Sequence, residues 1–143
     1  STNEDVKIRD VVIAMAASTD SNINKLRFNG ADYAPCANSE LFIKAYELGK
    51  ERNISIKAGN ILTSDTFYGD EVDGWKKWAK FGILCVEMET AQLYTTAAKL
   101  GARALTLLTI SDSLVTGEAT SAEERQTTFN DMIKLALDTA LSL

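Results

Sequence analysis

Apolar residues gather along this chain in runs separated by amphipathic stretches. Val11 to Ala17 (VVIAMAA) is continuous and predicts a buried strand. The polar stretch Ser18 to Asn24 predicts a loop, and no clear period follows as far as Ala37. From Asn38 or Ser39, the residues Leu41, Phe42, Ala45, Leu48 and Gly49 share one helical face, and that helix should end near Arg52-Asn53. Ile54 to Leu62 alternates at first, as a strand does. Val72 to Phe81 predicts a helix with Trp75, Trp78 and Phe81 turned inward. Ile83 to Val86 has the length and branching of a buried strand, and Thr90 to Leu100 reads as a helix stopped by Gly101 at a left-handed C′ position. Ala102 to Ile110 predicts another buried strand. Ser121 and Glu124 fit a capping box. They open a long helix to the C-terminus, striped by Phe129, Met132, Ile133, Ala136, Leu137 and Ala140. Strands and helices alternate throughout. That order predicts one α/β unit over residues 1–143, with a mixed, partly parallel central sheet flanked by helices.

The strand-to-helix corner at Ile83 to Thr90 concentrates the chemistry. Its apolar run meets two carboxylates, Glu87 and Glu89, on either side of Met88. Ligands bind at such corners in open α/β sheets, and two acids there could hold a polyhydroxyl ligand. Acids in a helix's first turn also suit its dipole with no ligand at all. The loop Thr63 to Asp70 offers Phe67 and Tyr68, either as a ligand platform or as anchors on the core. Ser111-Asp112-Ser113 ends the last strand on the same rim, and the following loop, Leu114 to Thr120, with Gly117, is expected to be mobile. Arg125 falls in a helix's first turn, where a cation opposes the dipole. It calls for a partner, either a functional one or a surface pair with Glu123 or Asp131.

Composition narrows the chemistry. The chain has 143 residues, enough for a real core, and 15 basic against 20 acidic residues give a net charge of −5. No basic patch suits nucleic acid, and no apolar run approaches membrane-spanning length. Histidine is absent, which removes Ser-His-Asp and Cys-His catalysis and histidine metal sites. Cys36 and Cys85 form no CxxC pair and no metal spacing, so no metal is expected, and Cys85 reads as a small core residue. Reduced thiols and a polar, acidic start without a signal-peptide pattern fit a cytoplasmic setting.

The segments Thr63 to Tyr68, Val86 to Thr90, Thr109 to Asp112 and Ala122 to Met132 together resemble the bacterial hexameric purine nucleoside phosphorylases, along essentially the whole chain. The Glu-Met-Glu and Ser-Asp signals are shared across the wider nucleoside phosphorylase superfamily; the run Glu123 to Phe129 points to this branch. The resemblance implies a phosphorylase-like three-layer sandwich, incomplete in this chain. It implies that Phe67 packs on the purine, and that Val86, Glu87, Met88, Glu89 and Ser111 line the nucleoside site, with Glu89 on the ribose hydroxyls. Asp112 is then the general acid toward purine N7, assisted by Arg125, which arrives as the site closes. Inorganic phosphate is the co-substrate and no cofactor is needed. A homo-hexamer is the implied assembly. Family members begin with a further N-terminal segment that carries the phosphate contacts, so this chain resembles their C-terminal portion. A partner segment or second chain is expected to complete the site, and the chain alone is expected to be inactive. A nucleosidase using water, and a non-catalytic fragment, are the competing readings.

Overall fold

The computed structural model describes residues 1–67, 71–127 and 129–142. Its centre is a four-stranded sheet built from β1 (Val11–Thr19), β2 (Ile56–Thr63), β3 (Val86–Glu87) and β4 (Thr106–Thr109), in the order β3-β2-β1-β4. β1 and β3 both run parallel to β2, while β4 is antiparallel to β1. The expected mixed, partly parallel sheet is therefore present. Its helices are α1 (Ile23–Arg27), α2 (Ser39–Glu51), α3 (Trp75–Ala79), α4 (Thr90–Lys99), α5 (Ala122–Thr127) and α6 (Asn130–Leu141).

Two helical layers sandwich the sheet. Val12 and Ala14 of β1 meet Ala91 and Tyr94 of α4, with Ile61, Cys85 and Ile110 completing this core. By the two-residue period of a strand, Val11 and Ile13 face the opposite side, which α2 and α6 cover. There α2 comes so close that a Cβ on Gly49 would lie 2.9 Å from Ile56 Cγ2. Burial pushes the Cys85 thiol up to about 12, consistent with an inert core residue.

β1 carries one extra residue. Ala14 pairs with Gly59 but Ala16 with Asn60, so Met15 is a bulge. The parity of the strand changes there, which lets Ala17 share the α4-side core with Val12 and Ala14. The partner on β1's other edge changes too. β4 pairs with it up to Ala14; beyond the bulge, Ala37 N–H donates to Met15 C=O (3.0 Å) and Ala17 N–H to Pro35 C=O (3.0 Å). At the switch, the buried Tyr94 hydroxyl donates to Ala14 C=O (2.6 Å) and accepts from Thr106 N–H (2.9 Å), standing in for a rung of the ladder. Burial raises its pKa, so it remains a protonated donor.

Several sequence expectations need correction. α1 forms inside a stretch expected to be loop and aperiodic chain; its five residues are too few for a periodic signal. The helix expected over 72–81 shrinks to α3, and Phe81 is 86% exposed, because the helix has ended before it can turn inward. Ile83 and Cys85 are buried as expected, but regular pairing covers only Val86 and Glu87, at the sheet's edge, and Val86 is exposed. β4 is shorter than expected and half-buried, since it too is an edge strand. The long C-terminal helix is broken: α5 and α6 are separate, with Phe129 in a non-helical conformation at the start of α6. Leu135 and Thr139 are the buried positions of α6, while Ile133 and Leu137 are exposed, so the packed stripe is rotated from the expected one. Thr128, expected inside that helix, and Tyr68, expected beside Phe67 in the loop platform, lie outside the described residues.

Other expectations hold. Asn38 caps α2 through its side chain, which accepts from Leu41 N–H (3.1 Å). Gly101 has φ +66°, and Ala102 N–H donates to Ala97 C=O (2.9 Å) while Gly101 N–H donates to Ala98 C=O (3.2 Å). That is a Schellman ending, which a side chain at residue 101 would strain. No helix among the described residues is long and apolar enough to cross a membrane.

Candidate functional site

The C-terminal ends of β2 and β3, the start of α4 and the segment after β4 converge on one rim of the sheet. A cavity of about 330 Å³ opens there, lined by Phe67, Cys85, Val86, Glu87, Leu108 to Asp112, Leu114 and Ser1. Five residues expected from sequence, Phe67, Val86, Glu87, Ser111 and Asp112, thus share one cavity wall. Met88 and Glu89 follow Glu87 on its exposed lip, and Arg125 reaches the site through Asp112. Phe67 is 75% exposed, so it stands at the mouth instead of anchoring the loop in the core. Val86, Phe67 and Leu114 also border a second hollow of about 630 Å³, on the side of Trp75 and Trp78.

Glu87 sits where parallel pairing puts it beside Thr63. The Thr63 hydroxyl donates to Glu87 Oε1. Glu89 N–H and Thr90 N–H both donate to Glu87 Oε2 (2.8 Å each), and Ala91 N–H donates to Thr63 Oγ1 (2.9 Å). The first amides of a helix have no intrahelical partners, and a carboxylate there also meets the favourable end of the dipole. Glu89 differs. Its carboxylate is exposed and accepts a bond of 3.3 Å from Met88 N–H.

Asp112 is held by side chains. Arg125 Nη2 donates to Oδ1 (2.8 Å), and the Ser111 hydroxyl donates to Oδ2. Arg125 also donates to Thr120 Oγ1 and to Thr120 C=O (3.2 Å each). This answers the question the sequence left open: Arg125 takes Asp112 as its partner, and because α5 has only six residues it lies in the last turn, where a cation is favourable. The expected capping box is present, with Glu124 N–H donating to Ser121 Oγ (3.1 Å) and Ser121 N–H to Glu124 Oε2 (3.0 Å). The Ser121 amide, helped by the paired Arg9 guanidinium, holds the Glu124 carboxyl below its ordinary value.

The loop before α5, expected to be mobile, is tied down by backbone bonds: Ser113 N–H to Glu118 C=O (2.8 Å), Gly117 N–H to Ser113 C=O (2.9 Å) and Thr120 N–H to Ser111 C=O (2.9 Å). Sequence reasoning missed four contributors. Thr63 looked like an ordinary loop start, yet its place opposite Glu87 makes it a partner. Ser1 and Thr2 stitch the two sides of the cavity together. Thr2 N–H donates to Leu84 C=O (3.0 Å), and Leu114 N–H donates to Ser1 C=O (2.9 Å). Thr109 lines the cavity with a buried hydroxyl that has no hydrogen-bond partner among the described residues. Among those residues, no group of three or more acids and cysteines is arranged to hold a metal ion.

Relatives named purine nucleoside phosphorylase DeoD-type occur in Caldanaerobacter subterraneus subsp. tengcongensis, 68% identical over 136 residues, and in Alkaliphilus metalliredigens, 61% identical over 137. The relative of that name in Clostridium perfringens is 57% identical over 140 residues. These alignments cover 95%, 96% and 98% of this chain but 59%, 59% and 60% of the relatives, so the chain spans about three fifths of their length. The phosphorylase superfamily matches residues 1–143 in full. Matched by the superfamily over its whole length and built on a mixed sheet between helices, the chain belongs to the phosphorylase superfamily.

Proposed function

We propose that the protein carrying this chain cleaves purine ribonucleosides and deoxyribonucleosides with phosphate, giving the free base and the sugar 1-phosphate. The observation that carries the reading is a single cavity joining an aromatic lip, a corner of carboxylates and an Arg-paired aspartate. An exposed aromatic face suits a purine, and an ionised carboxylate suits a vicinal diol. Phe67 stacks on the base, Val86 and Met88 flank it, and Glu89 accepts from the sugar hydroxyls.

In the reaction the C1′–N9 bond breaks and its electron pair moves onto the purine. A phosphate oxygen forms the new bond to C1′. Asp112 gives its proton to N7 as charge builds on the leaving base. A guanidinium at 2.8 Å favours the carboxylate that results, so the Arg125–Asp112 pair matches the side of the step after proton transfer. Ser111 supplies a second hydrogen bond to the same carboxylate. Inorganic phosphate is the co-substrate, and a cytoplasmic homo-hexamer belongs to the same reading. The names of the relatives favour phosphate over water as the acceptor.

The deciding experiment measures hypoxanthine release from inosine by the complete protein with and without phosphate. Release only in its presence is expected. Equal release in its absence would make the protein a nucleosidase.

A further inference from the structure

Glu87 lines the cavity, yet its carboxylate points back into the protein. Oε2 takes the Glu89 and Thr90 amides, and Oε1 takes the Thr63 hydroxyl. The buried Thr63 then accepts the Ala91 amide. Three successive N–H groups at the start of α4 are thus satisfied by two side chains. With three donors already on it, Glu87 is a poor acceptor for a sugar. Glu89, whose own backbone N–H Glu87 fixes, has an exposed side chain that faces no such demand.

We propose that Thr63 and Glu87 are the positioning residues of the nucleoside site: they hold the Met88–Glu89 backbone and aim Glu89 at the ribose, without touching the nucleoside themselves. The proposal rests on the reading of the cavity as a nucleoside site. Its chemistry requires a side chain at residue 63 that donates and accepts at once. Serine has both capacities, and valine has the shape of threonine with neither.

The test uses the complete protein with Thr63→Val, Thr63→Ser, Glu87→Ala, Glu89→Ala and the Glu87→Ala/Glu89→Ala double variant. Thr63→Val should speed exchange of the Glu89, Thr90 and Ala91 amides and raise KM for inosine, each by about tenfold, with kcat within about threefold. Thr63→Ser should restore both. If Glu87 acts through Glu89, the double variant binds inosine no more weakly than Glu89→Ala alone. Losses that multiply in the double variant would mean that Glu87 touches the ligand, and the proposal fails. Unchanged amide exchange in Thr63→Val also overturns it. Calorimetry on the unsubstituted protein separates the two levels. If inosine does not bind, the nucleoside reading is wrong, while amide exchange still decides whether these residues hold the start of α4.

Discussion

The two sides of the cavity are built in opposite ways. At the β3–α4 corner, side chains bond to backbone: Glu87 and Thr63 take the amides that open a ten-residue helix packed on the core through Ala91 and Tyr94. At the β4–α5 side the central bond joins two side chains, Arg125 to Asp112, with Arg125 also on the Thr120 carbonyl. Arg125 and Asp112 are 45% and 47% exposed, and the helix that brings Arg125 has six residues and is separated from α6. The first arrangement resists change because every donor moved would be left unpaired. The second is an exposed ion pair, cheap to make and to break. A sugar needs a fixed acceptor, whereas a proton donor has to change its charge and partner during the reaction. On the proposed function, binding falls to the stiff side and proton transfer to the adaptable one.

The largest effect that could break this contrast is at Asp112. Asp112→Asn keeps the shape and removes the acid. Inosine turnover by the complete protein should fall by about 10²–10⁴-fold. A nucleoside already methylated at N7 needs no proton and should lose little. Equal losses for inosine and 7-methylguanosine in steady-state assays would reduce Asp112 to a structural role.

Next in size is Glu89→Gln, which should weaken ribonucleoside binding by about 1.5–3 kcal/mol. Deoxynucleosides should suffer less, since one hydroxyl donor is already missing. Titration calorimetry with adenosine and 2′-deoxyadenosine reads the difference, and equal losses would leave only the 3′-hydroxyl as its partner.

On the stiff side, Tyr94→Phe strands both Thr106 N–H and Ala14 C=O. Urea unfolding should show a loss of about 1–3 kcal/mol. No loss would mean that the strands close up to make the missing rung directly.

The smallest global effect belongs to the adaptable side. Ser121→Ala removes the cap of α5, worth about 1 kcal/mol to the helix. It should barely move global unfolding while lowering turnover of inosine more than that of 7-methylguanosine. Glu124 adds a pH signature. Its lowered pKa means that its contribution is present above the ordinary carboxylate range and is lost as pH falls through the lowered value. Hydrogen-exchange measurements at the α5 amides would detect that loosening on acidification.

The sequence showed the strands around which the core forms because β1 and the stretch Ile83 to Cys85 are buried by neighbours on both sides, and continuous burial demands continuous apolarity. It also showed Gly101 and the Ser121–Glu124 box, whose chemistry is local. Phe81 and the stripe of α6 were misread for one reason. Which face of a helix is covered depends on where the helix begins and ends and what lies across from it, and α3 ends before Phe81 while α6 begins only after Phe129. The residues of the cavity were legible by type, as aromatic, acid and arginine. Their division of labour was not. Only the register that sets Thr63 against Glu87 shows that one acid of the Glu-Met-Glu run faces the protein and the other faces out.

The Met15 bulge has a consequence for which changes the gene can absorb. Met15 is half-exposed, so replacing it with another residue disturbs little packing. A β1 without its extra residue would still pair Ala14 with Gly59 and Ala16 with Asn60, now in regular alternation, so Ala16 to Thr19 would keep their faces. Ala17 would stay in the core it shares with Tyr94, and what disappears is the Met15 C=O that accepts the Ala37 N–H. Position 15 is thus the point of β1 at which a residue can be lost without turning the rest of the strand over, with one backbone hydrogen bond given up.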